Sequence, residues 1–339
     1  MQTGGADGFI LPFARHGAGM ISLQALLIIL AFAERRQAAG KNFILLAEEP
    51  ELHLHPSLHR RLANRIRSLG DQSVITTHSP IIAASYLPME AIHVQKSAGQ
   101  VVGRLLREEP IHRIPRDSVR KLYLQHREAF YEALMGAVIV VPEGQTDYQW
   151  LRLWQRVAEA SDAVAQAIRF SPLSVIPTED ASVVDTLGEI RRFRPDAVPA
   201  LDGDGDGTRY LQNLASSTSP PTRAIRLGTD ATIECLSAWI LEPCLAAPGA
   251  TLSTLLGTQS RELRSIQRLL LNGTNKKDRE LRENLAWEAI DCEPAMLRAA
   301  GFLQDIALIA AGQQPTNPLW VRTTENQTEV FTANHIQRV

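Results

Sequence analysis

Short apolar segments rich in β-forming residues alternate with segments of helical periodicity, and this alternation restricts the fold more than any other feature of the sequence. Residues 43–47 form one such segment, and a helical segment that begins at Pro56 separates it from the next, residues 73–77. A second alternation starts at residue 137. Strand, helix and strand in this order make a βαβ unit. We therefore expect an α/β protein with parallel sheets.

The second alternation predicts four strands and two helices, followed by a helical region from about residue 260. The strands are expected at residues 137–141, 173–176, 197–201 and 222–227, and the helices at 146–170 and 181–193. Before this alternation, a hairpin is expected around Gly99 and a polar, basic connector at residues 108–127. The polar end after Gln314 is expected to be loosely ordered.

The composition is that of a folded protein of about two domains. The chain has 339 residues, of which 45% are hydrophobic and 21% charged, so disordered and fibrous classes are excluded. Its longest apolar run, residues 25–33, has about half of the ~20 residues of a membrane helix, and the sequence begins without the pattern of a signal peptide. We expect a cytoplasmic protein without membrane contact. The three cysteines are scattered, which argues against a disulfide framework and a zinc site.

The charges are unevenly distributed, although the net charge is only −2. Residues 1–136 carry 16 Lys and Arg against 12 Asp and Glu, whereas residues 137–339 carry 19 against 25. Two groups of basic residues lie in the first part: Arg60, Arg61, Arg65 and Arg67, and Arg113, Arg116, Arg120 and Lys121. A solvated helix face and a surface that follows nucleic-acid phosphates explain these groups equally well.

Acidic residues and a histidine follow the first two predicted strands. Glu48 and Glu49 come at the end of the strand at residues 43–47, and His78 comes at the end of the strand at residues 73–77. In nucleotide hydrolases, acids at this edge of a parallel sheet hold Mg²⁺ and orient the attacking water, and a histidine there contacts the γ-phosphate. An acidic pair after a strand is also common in a solvated loop, which stays open as the alternative; the features together indicate a nucleotide site.

The phosphate-binding part of such a site is incomplete. Gly17, Ala18 and Gly19 precede a helix, where backbone amides bind anions. The motif GxxxxGK[ST], which cradles the β- and γ-phosphates, occurs nowhere in the sequence. We therefore expect that this chain alone does not hydrolyse ATP, and that ATP binds only together with a half that carries the missing motif.

A second group of carboxylates is expected at the sheet edge of the second alternation. Glu143 directly follows the first strand, and Asp147 lies in the first turn of the next helix. Asp202, Asp204 and Asp206 alternate with glycines after the third strand. Crowded carboxylates repel each other unless a cation neutralises them, and oxygen ligands favour Mg²⁺, Mn²⁺ or Ca²⁺. The sequence therefore predicts a divalent metal site.

Two other interpretations apply to the run of aspartates. An EF-hand loop requires a glutamate at its twelfth position, where Asn213 stands, and a helix rather than a strand before it. A solvated acidic turn stays open as the alternative to a metal site.

In this order, the motifs resemble the overcoming-lysogenisation-defect (OLD) family of ATP-dependent endonucleases. Residues 17–19 are similar to the signature loop of an ABC-type ATPase, residues 43–49 to its Walker B strand and His78 to its switch histidine. The resemblance is carried further by the sequence Glu48-Glu49-Pro50-Glu51-Leu52-His53-Leu54-His55-Pro56. It departs from the usual pattern at Glu48, where an aspartate is common. His53, His55 and His59 fall in the loop after Walker B, and we do not favour them as metal ligands.

The carboxylates of the second alternation resemble a Toprim domain, as found in topoisomerases, primases and OLD nucleases. The matching segments are Glu143-Gly144-Gln145-Thr146-Asp147 and Asp202-Gly203-Asp204. Pro142 departs from the pattern, although a proline is tolerated at a strand end. The resemblance implies the following division: the latter half of an ABC-type ATPase at 1–110, a connector at 111–136, a Rossmann-like Toprim domain with a parallel sheet at 137–257 and a helical C-terminal region at 258–339.

The resemblance also implies the site residues and the reaction. Glu143, Asp147 and Asp202 would hold one metal ion, and Asp202, Asp204 and Glu234 would hold a second, with Asp206 as a further ligand or a neighbour of one. A lysine of the pair Lys276 and Lys277, with Lys277 favoured, would stabilise the charge that develops on the phosphate. The implied activity is two-metal cleavage of DNA by the C-terminal part of a longer, homodimeric protein. Two alternatives stay open: a topoisomerase-like transesterase, and a non-catalytic DNA-binding or assembly module.

Overall fold

Helices and strands alternate through both units into which the chain divides, Met1–Pro110 (unit 1) and Ile111–Val339 (unit 2). This confirms the predicted α/β class. The computed structural model describes residues 2–4, 10–12, 18–69, 71–97, 99–160, 173–246, 255–257 and 262–338. Each unit is described by itself below.

Unit 1 contains the predicted βαβ unit and the predicted hairpin. Its described elements are β1 (Gln2–Gly4), β2 (Ile10–Pro12), α1 (Ala18–Ala38), β3 (Ile44–Glu48), α2 (Pro56–Arg67), β4 (Gln72–Thr76), α3 (Pro80–Ala83), β5 (Ile92–Ser97) and β6 (Gln100–Leu105). β3 and β4 pair in parallel, with Glu48 opposite Thr76, so their carboxyl ends lie side by side. β5 and β6 form the antiparallel hairpin.

Within the described residues, one face of the sheet of β3 and β4 is covered and the other is exposed. Leu45 and Ile75 point inward and pack with Leu62 and Ile66 of α2. The next residues along each strand point the other way because side chains of a strand alternate between its two faces. Ile44, Leu46 and Val74 are therefore exposed on the opposite face.

Unit 2 is larger and is built around one central sheet. Its described elements are a 3₁₀ turn (Ile111–Arg113), α4 (Asp117–Leu124), α5 (Arg127–Met135), β7 (Val138–Pro142), α6 (Gln145–Glu159), β8 (Leu173–Val175), α7 (Val183–Arg191), β9 (Val198–Leu201), α8 (Gly205–Ala215), β10 (Arg223–Arg226), α9 (Ile233–Leu241), a 3₁₀ turn (Glu242–Ala246), α10 (Leu263–Leu271), α11 (Gly273–Lys277), α12 (Arg279–Ile290), α13 (Glu293–Ala310), β11 (Trp320–Glu325) and β12 (Thr328–Ala333).

The described strands of this sheet lie in the order β11-β12-β10-β9-β7-β8. Every neighbouring pair from β12 to β8 is parallel. The carboxyl ends of β7, β9 and β10 therefore meet at one edge. Each residue of β7 is buried, as expected for a parallel strand covered by helices on both faces. On one of these faces, Trp150 and Trp154 of α6 stack with their ring centroids 5.3 Å apart.

The C-terminal region differs from the prediction. The expectation of a helical region at 258–339 with a loosely ordered end is wrong beyond Gln314, because β11 and β12 extend the sheet there. β11 pairs antiparallel with β12, so the sheet is mixed rather than wholly parallel. The two strands are joined by Asn326 and Gln327, both with positive φ, which makes a tight hairpin turn. Helix α6 covers Gln145–Glu159. The predicted helix continued to Phe170, and its residues from 161 onward lie outside the described residues.

Asp305 ties the C-terminal hairpin to α13. Its side chain is buried and accepts hydrogen bonds from the Thr316 amide (2.6 Å), the Thr316 hydroxyl (2.7 Å) and the Trp320 indole (2.9 Å). Trp320 in turn stacks on Phe302 of α13, with ring centroids 5.7 Å apart. A buried carboxylate with this many donors is well stabilised, and the donors depend on it in return.

We expect Asp305→Ala to lower the free energy of unfolding by about 3 kcal/mol, because several buried donors lose their acceptor together. Chemical denaturation followed by Trp fluorescence measures this change. Asp291→Ala, at an exposed position just before the same helix, serves as the control and should change the free energy by less than ~0.5 kcal/mol. Equal losses in the two variants would contradict the anchoring role of Asp305.

Candidate functional site

Glu143 follows β7 at the carboxyl edge of the sheet and is oriented by the neighbouring loop. Its Oε2 accepts a hydrogen bond of 3.0 Å from the backbone amide of Asp202, the residue that follows β9. Burial raises the pKa of Glu143 to about 7, against the lowering effect of this hydrogen bond, and the charges of Asp204 and Asp206 raise it further. The two loops that carry the predicted acids are therefore in direct contact.

Asp147 lies in the first turn of α6, as predicted, and its carboxyl group is buried. Its Oδ1 has no hydrogen-bond partner among the described residues. Burial, followed by the charges of Glu143 and Glu234, raises the pKa of Asp147 to about 8. A buried carboxyl group with an unsatisfied oxygen beside two other acids is costly, unless it binds a proton or a cation.

Asp202 is buried among the other acids, and the first residue of α9 binds its side chain. Its Oδ1 accepts a hydrogen bond of 3.0 Å from the amide of Ile233, the first residue of that helix. Burial raises the pKa of Asp202 well above its ordinary value, and the charges of Asp147 and Glu143 add to this effect. Asp202 thus connects the end of β9 to the helix that follows β10.

Glu234, in the first turn of α9, is only 1% exposed and completes the group of acids. Its Oε2 accepts a 2.6 Å hydrogen bond from the Thr232 hydroxyl, and its Oε1 lies 3.3 Å from Nζ of Lys276. Burial acts to lower the pKa of Lys276, but the charges of Glu234, Asp202 and Asp147 outweigh it and the pKa is raised. Lys276 is therefore a charged lysine at the acidic edge.

Lys276, rather than the favoured Lys277, is the lysine in contact with the acids. Both lie on α11 and both are exposed to solvent, but Lys276 is the one paired with Glu234. The choice between adjacent residues of a short helix depends on how that helix is oriented, which the sequence pattern alone does not indicate.

Asp204 and Asp206 lie at the beginning of α8. Asp204 is its N-cap, with Oδ1 accepting from the amides of Asp206 and Gly207, both at 3.0 Å. Asp206 is exposed and pairs with Arg209 at 2.9 Å. The carboxyl group of Asp206 is thus engaged on the solvent side of the helix.

Glycine at position 203 lets the loop after β9 lie against the loop after β10. A Cβ atom at Gly203 would come 1.8 Å from the Gly228 carbonyl oxygen, which no side chain tolerates. The Gly203 amide donates to the Ala231 carbonyl at 2.7 Å, and the Asp230 amide donates to the Gly203 carbonyl at 3.2 Å. This backbone contact sets the position of Asp202 relative to α9.

The potential ligand atoms at this sheet edge are of the kind that bind divalent cations. They are carboxylate oxygens, one of which, Asp147 Oδ1, is buried without a hydrogen-bond partner in the described part of the chain. However, no group of three or more His, Cys, Asp or Glu side chains within the described residues is arranged to hold a metal ion. Side-chain rotation is required before three of these carboxylates surround one ion.

In unit 1, the structure brings two of the predicted nucleotide-site residues together. Glu49 follows β3 with a positive φ of 40°, and its Oε1 lies 3.4 Å from Nε2 of His78, whose side chain is 85% exposed. Glu48, the last residue of β3, is exposed at the same end. Ala18 and Gly19 are the first residues of α1, whereas Gly17 lies outside the described residues.

Glu51 and His59 support this edge, a role that was not predicted for either of them from the sequence. The buried Glu51 accepts hydrogen bonds through Oε1 from the Thr77 hydroxyl and the amides of His78 (3.0 Å) and Ser79 (3.2 Å). His59 bonds Ser79 through Nδ1 at 3.0 Å. Together they fix the loop that presents His78, and the Glu-Pro-Glu sequence was the only sequence signal for this role.

Residues 2–83 match the family described as AAA ATPase domain. The matched segment includes Glu48, Glu49 and His78, so this part of unit 1 is related to AAA- and ABC-type ATPases. No curated protein sequence matches the chain. None of the described helices is both long and apolar enough to cross a membrane.

We expect the stability of the chain in EDTA to fall as the pH rises from about 5 to about 8. The buried carboxyl groups of Glu143, Asp147 and Asp202 keep their protons in the folded chain at pH values where the unfolded chain has lost them. Stability therefore decreases as the pH rises through this window, by several kcal/mol. Urea denaturation at several pH values measures the slope. Asp147→Asn should flatten it and the exposed Asp291→Asn should not; equal slopes in all three proteins would be inconsistent with this charge distribution.

We expect Gly203→Ala to lower the free energy of unfolding by about 3 kcal/mol, because the added methyl group forces the two loops apart. Gly205→Ala is the matched control two residues away, where a Cβ atom meets nothing within 4 Å, and its effect should stay below ~0.5 kcal/mol. Urea denaturation compares the two variants. Equal tolerance of both substitutions would show that the loops do not depend on this contact.

Proposed function

We propose that this chain cleaves phosphodiester bonds of DNA with the help of divalent metal ions, in the manner of the Toprim site of OLD-family endonucleases. One observation carries the proposal. Four acids meet at one edge of the sheet, beside Lys276: Glu143, Asp147, Asp202 and Glu234. They come from the ends of three neighbouring parallel strands or from the helices that follow these strands. An acidic cluster of this kind at the ligand-binding edge of an α/β sheet suits a cation better than a purely structural role.

The residues proposed to hold metal ions are those that the Toprim resemblance implies. Glu143, Asp147 and Asp202 would hold one ion, and Asp202, Asp204 and Glu234 a second. Mg²⁺ or Mn²⁺ is the proposed species, with Ca²⁺ as a binding analogue. When bound, the ions activate a water molecule and stabilise the leaving 3′ oxygen.

The other groups of the edge prepare it for an anionic substrate. The Asp202 amide fixes the carboxylate of Glu143, and the amide of Ile233 fixes that of Asp202, so both acids are oriented in advance. Lys276 supplies the positive charge that the phosphate needs as negative charge develops on it. We assign this role to Lys276 instead of Lys277 because of its contact with Glu234.

Unit 1 is proposed to bind ATP as one part of a complete ATPase. Glu48 and Glu49 would hold the Mg²⁺ of the nucleotide and orient the attacking water, and His78, next to Glu49, would contact the γ-phosphate. A phosphate-binding loop with its lysine must come from elsewhere. We propose ATP as a ligand only in that completed, homodimeric assembly.

A transesterase would require a tyrosine nucleophile that reaches DNA. Tyr123, Tyr131 and Tyr210 are buried, and Tyr86 and Tyr148 are only partly exposed. A covalent protein–DNA adduct would therefore require a rearrangement of the chain, so we prefer hydrolysis.

A non-catalytic binding or assembly module is the second candidate. It is favoured by the observation that, in the described residues, no three potential ligands are arranged around one ion. Titration calorimetry with Ca²⁺ distinguishes the two functions, because a module without a metal centre gives no saturable heat.

We expect the chain to nick and linearise supercoiled plasmid in the presence of Mg²⁺ or Mn²⁺, and to stop doing so in EDTA. Asp202→Ala and Glu143→Ala should each reduce the rate by at least ~100-fold, because each removes a ligand of the proposed site. Gel electrophoresis of plasmid over time measures the rate.

The control for these variants is Glu159→Ala, at the exposed far end of α6, which should cleave like the parent chain. Circular dichroism checks that all variants are folded. Cleavage that survives in both Asp202→Ala and Glu143→Ala would mean that the activity comes from elsewhere, and absence of both cleavage and Ca²⁺ binding would favour the non-catalytic module.

A further inference from the structure

Arg282 of α12 is a buried cation that the proposed function does not use. It is only 5% exposed, which is unusual for an arginine. Its guanidinium donates through Nη1 to the backbone carbonyl of Lys276 and through Nη2 to Oε1 of Gln149. Its two hydrogen-bond acceptors therefore belong to two different parts of the acidic edge.

The first acceptor belongs to the helix that carries Lys276. α11 is five residues long and none of its residues is buried, so apolar packing does not fix its position. Its remaining ties are polar: Asn272 caps it through the Thr274 amide at 3.2 Å, and the Asn275 side chain donates to the Leu269 carbonyl at 2.9 Å. Lys276 itself bonds the Asn272 carbonyl through its amide and pairs with Glu234 through its side chain, and its carbonyl accepts the bond from Arg282 of the next helix.

The second acceptor belongs to the helix that carries Asp147. Gln149 lies two residues after Asp147 on α6. A guanidinium is planar and presents its donors in a fixed fork, so one Arg282 side chain that bonds both groups sets the distance between them. Arg282 thus links the segment that carries Lys276 to the helix that carries Asp147.

Other contacts hold α6 and α12 together without Arg282. Leu285, Ala286 and Ala289 of α12 are buried in the core of unit 2, and Arg156 of α6 pairs with Glu283 at 3.1 Å. Loss of the guanidinium should therefore release α11 locally and leave the packing of the helices in place.

We propose that Arg282 is a positioning residue that holds Lys276 against Glu234 by linking the Lys276 carbonyl to Gln149. Its consequence for catalysis rests on the proposed nuclease function, whereas the clamp on α11 does not. Arg282 acts through Lys276 and is not itself placed on the substrate.

The first measurement is hydrogen–deuterium exchange on the full chain. In the parent protein the Lys276 amide donates to the Asn272 carbonyl at 2.8 Å and the Asp278 amide to the Asn275 carbonyl at 3.1 Å, so both should exchange slowly. In Arg282→Met, residues 272–278 should exchange at least ~10-fold faster while β7 and β9 stay protected. Arg279→Met, at an exposed position of the same helix, should exchange like the parent. Unchanged exchange of residues 272–278 in Arg282→Met would overturn the proposal.

Gln149→Ala is a second variant for the case in which Arg282→Met does not fold. It removes the second acceptor and leaves the buried guanidinium in place. We expect it to accelerate exchange of residues 272–278 in the same direction, by a smaller factor. If Arg282→Met does not fold, as judged by circular dichroism, Gln149→Ala decides: acceleration supports the clamp, and parent-like exchange overturns it.

The second measurement is a double-mutant cycle on plasmid cleavage with Mn²⁺. Arg282→Met should lower kcat by about 10- to 100-fold, with little change in KM, because it misplaces Lys276 without removing a substrate contact. In Lys276→Met, the further change Arg282→Met should have little additional effect, since Arg282 acts through a group that is already absent. Additive losses would overturn the proposal.

The two measurements separate this inference from the proposed function. If the parent chain does not cleave plasmid, the nuclease proposal fails and exchange alone decides on the clamp. If cleavage is present but exchange in residues 272–278 is the same in all variants, the clamp fails and the nuclease proposal stands.

Discussion

Burial of like charges at the carboxyl edge of one sheet is the constraint on which the rest of unit 2 depends. Burial raises the cost of charging Asp147 and Asp202, because the low-polarity interior solvates charge poorly, and the charges of Glu143 and Glu234 raise it further. The surrounding elements each supply compensation. The beginning of α9 gives an amide to Asp202, the loop after β9 gives an amide to Glu143, and α11 brings a lysine to Glu234. These elements therefore have to keep their relative positions. Gly203, which allows close contact between two loops, and the buried Arg282 contribute to this.

The part of this edge that follows from the order of strands could be predicted from the sequence. Acids placed directly after apolar parallel strands must meet at one edge, whatever the details of packing, so Glu143 and Asp202 were accessible to sequence reasoning. Glu234 was reached only through the Toprim resemblance, because nothing in its own neighbourhood distinguishes it from any acid at the beginning of a helix. Lys276 and Lys277 are equivalent in the sequence, and the choice between them depends on the rotation of α11. In the proposed clamp, Arg282 of the next helix fixes that rotation through its bond to the Lys276 carbonyl, a contact that no local pattern reveals.

The strands at the C-terminal end were missed for a related reason. Strand pairing is a non-local interaction, and a polar segment with few apolar residues resembles a loose end until its partner is known. β12 buries Val330 and Phe331 because β10 is beside it, with Ala224 and Ile225 as their partners in register. Asn326 and Gln327 carried a weak local signal for a hairpin, since asparagine tolerates a positive φ. In unit 1 the βαβ order was predictable, whereas the role of Glu51 as the acceptor for the loop around His78 required the two strand ends to be seen side by side.

The anchored carboxylates also limit how the edge can respond to a cation. Glu143, Asp202 and Asp204 each use one oxygen to accept backbone amides, which fixes the carboxyl group and leaves its second oxygen for another partner. Ligation through these second oxygens needs only small rotations about the anchored ones. Glu234 is different, because its Oε1 faces Lys276 and its Oε2 is held by Thr232. A cation that uses Glu234 must therefore share this carboxylate with the lysine or displace it, whereas an ion held by Glu143, Asp147 and Asp202 does not meet this competition. The two proposed metal positions are unequal on this ground, and the one between Glu143 and Asp147 should fill first.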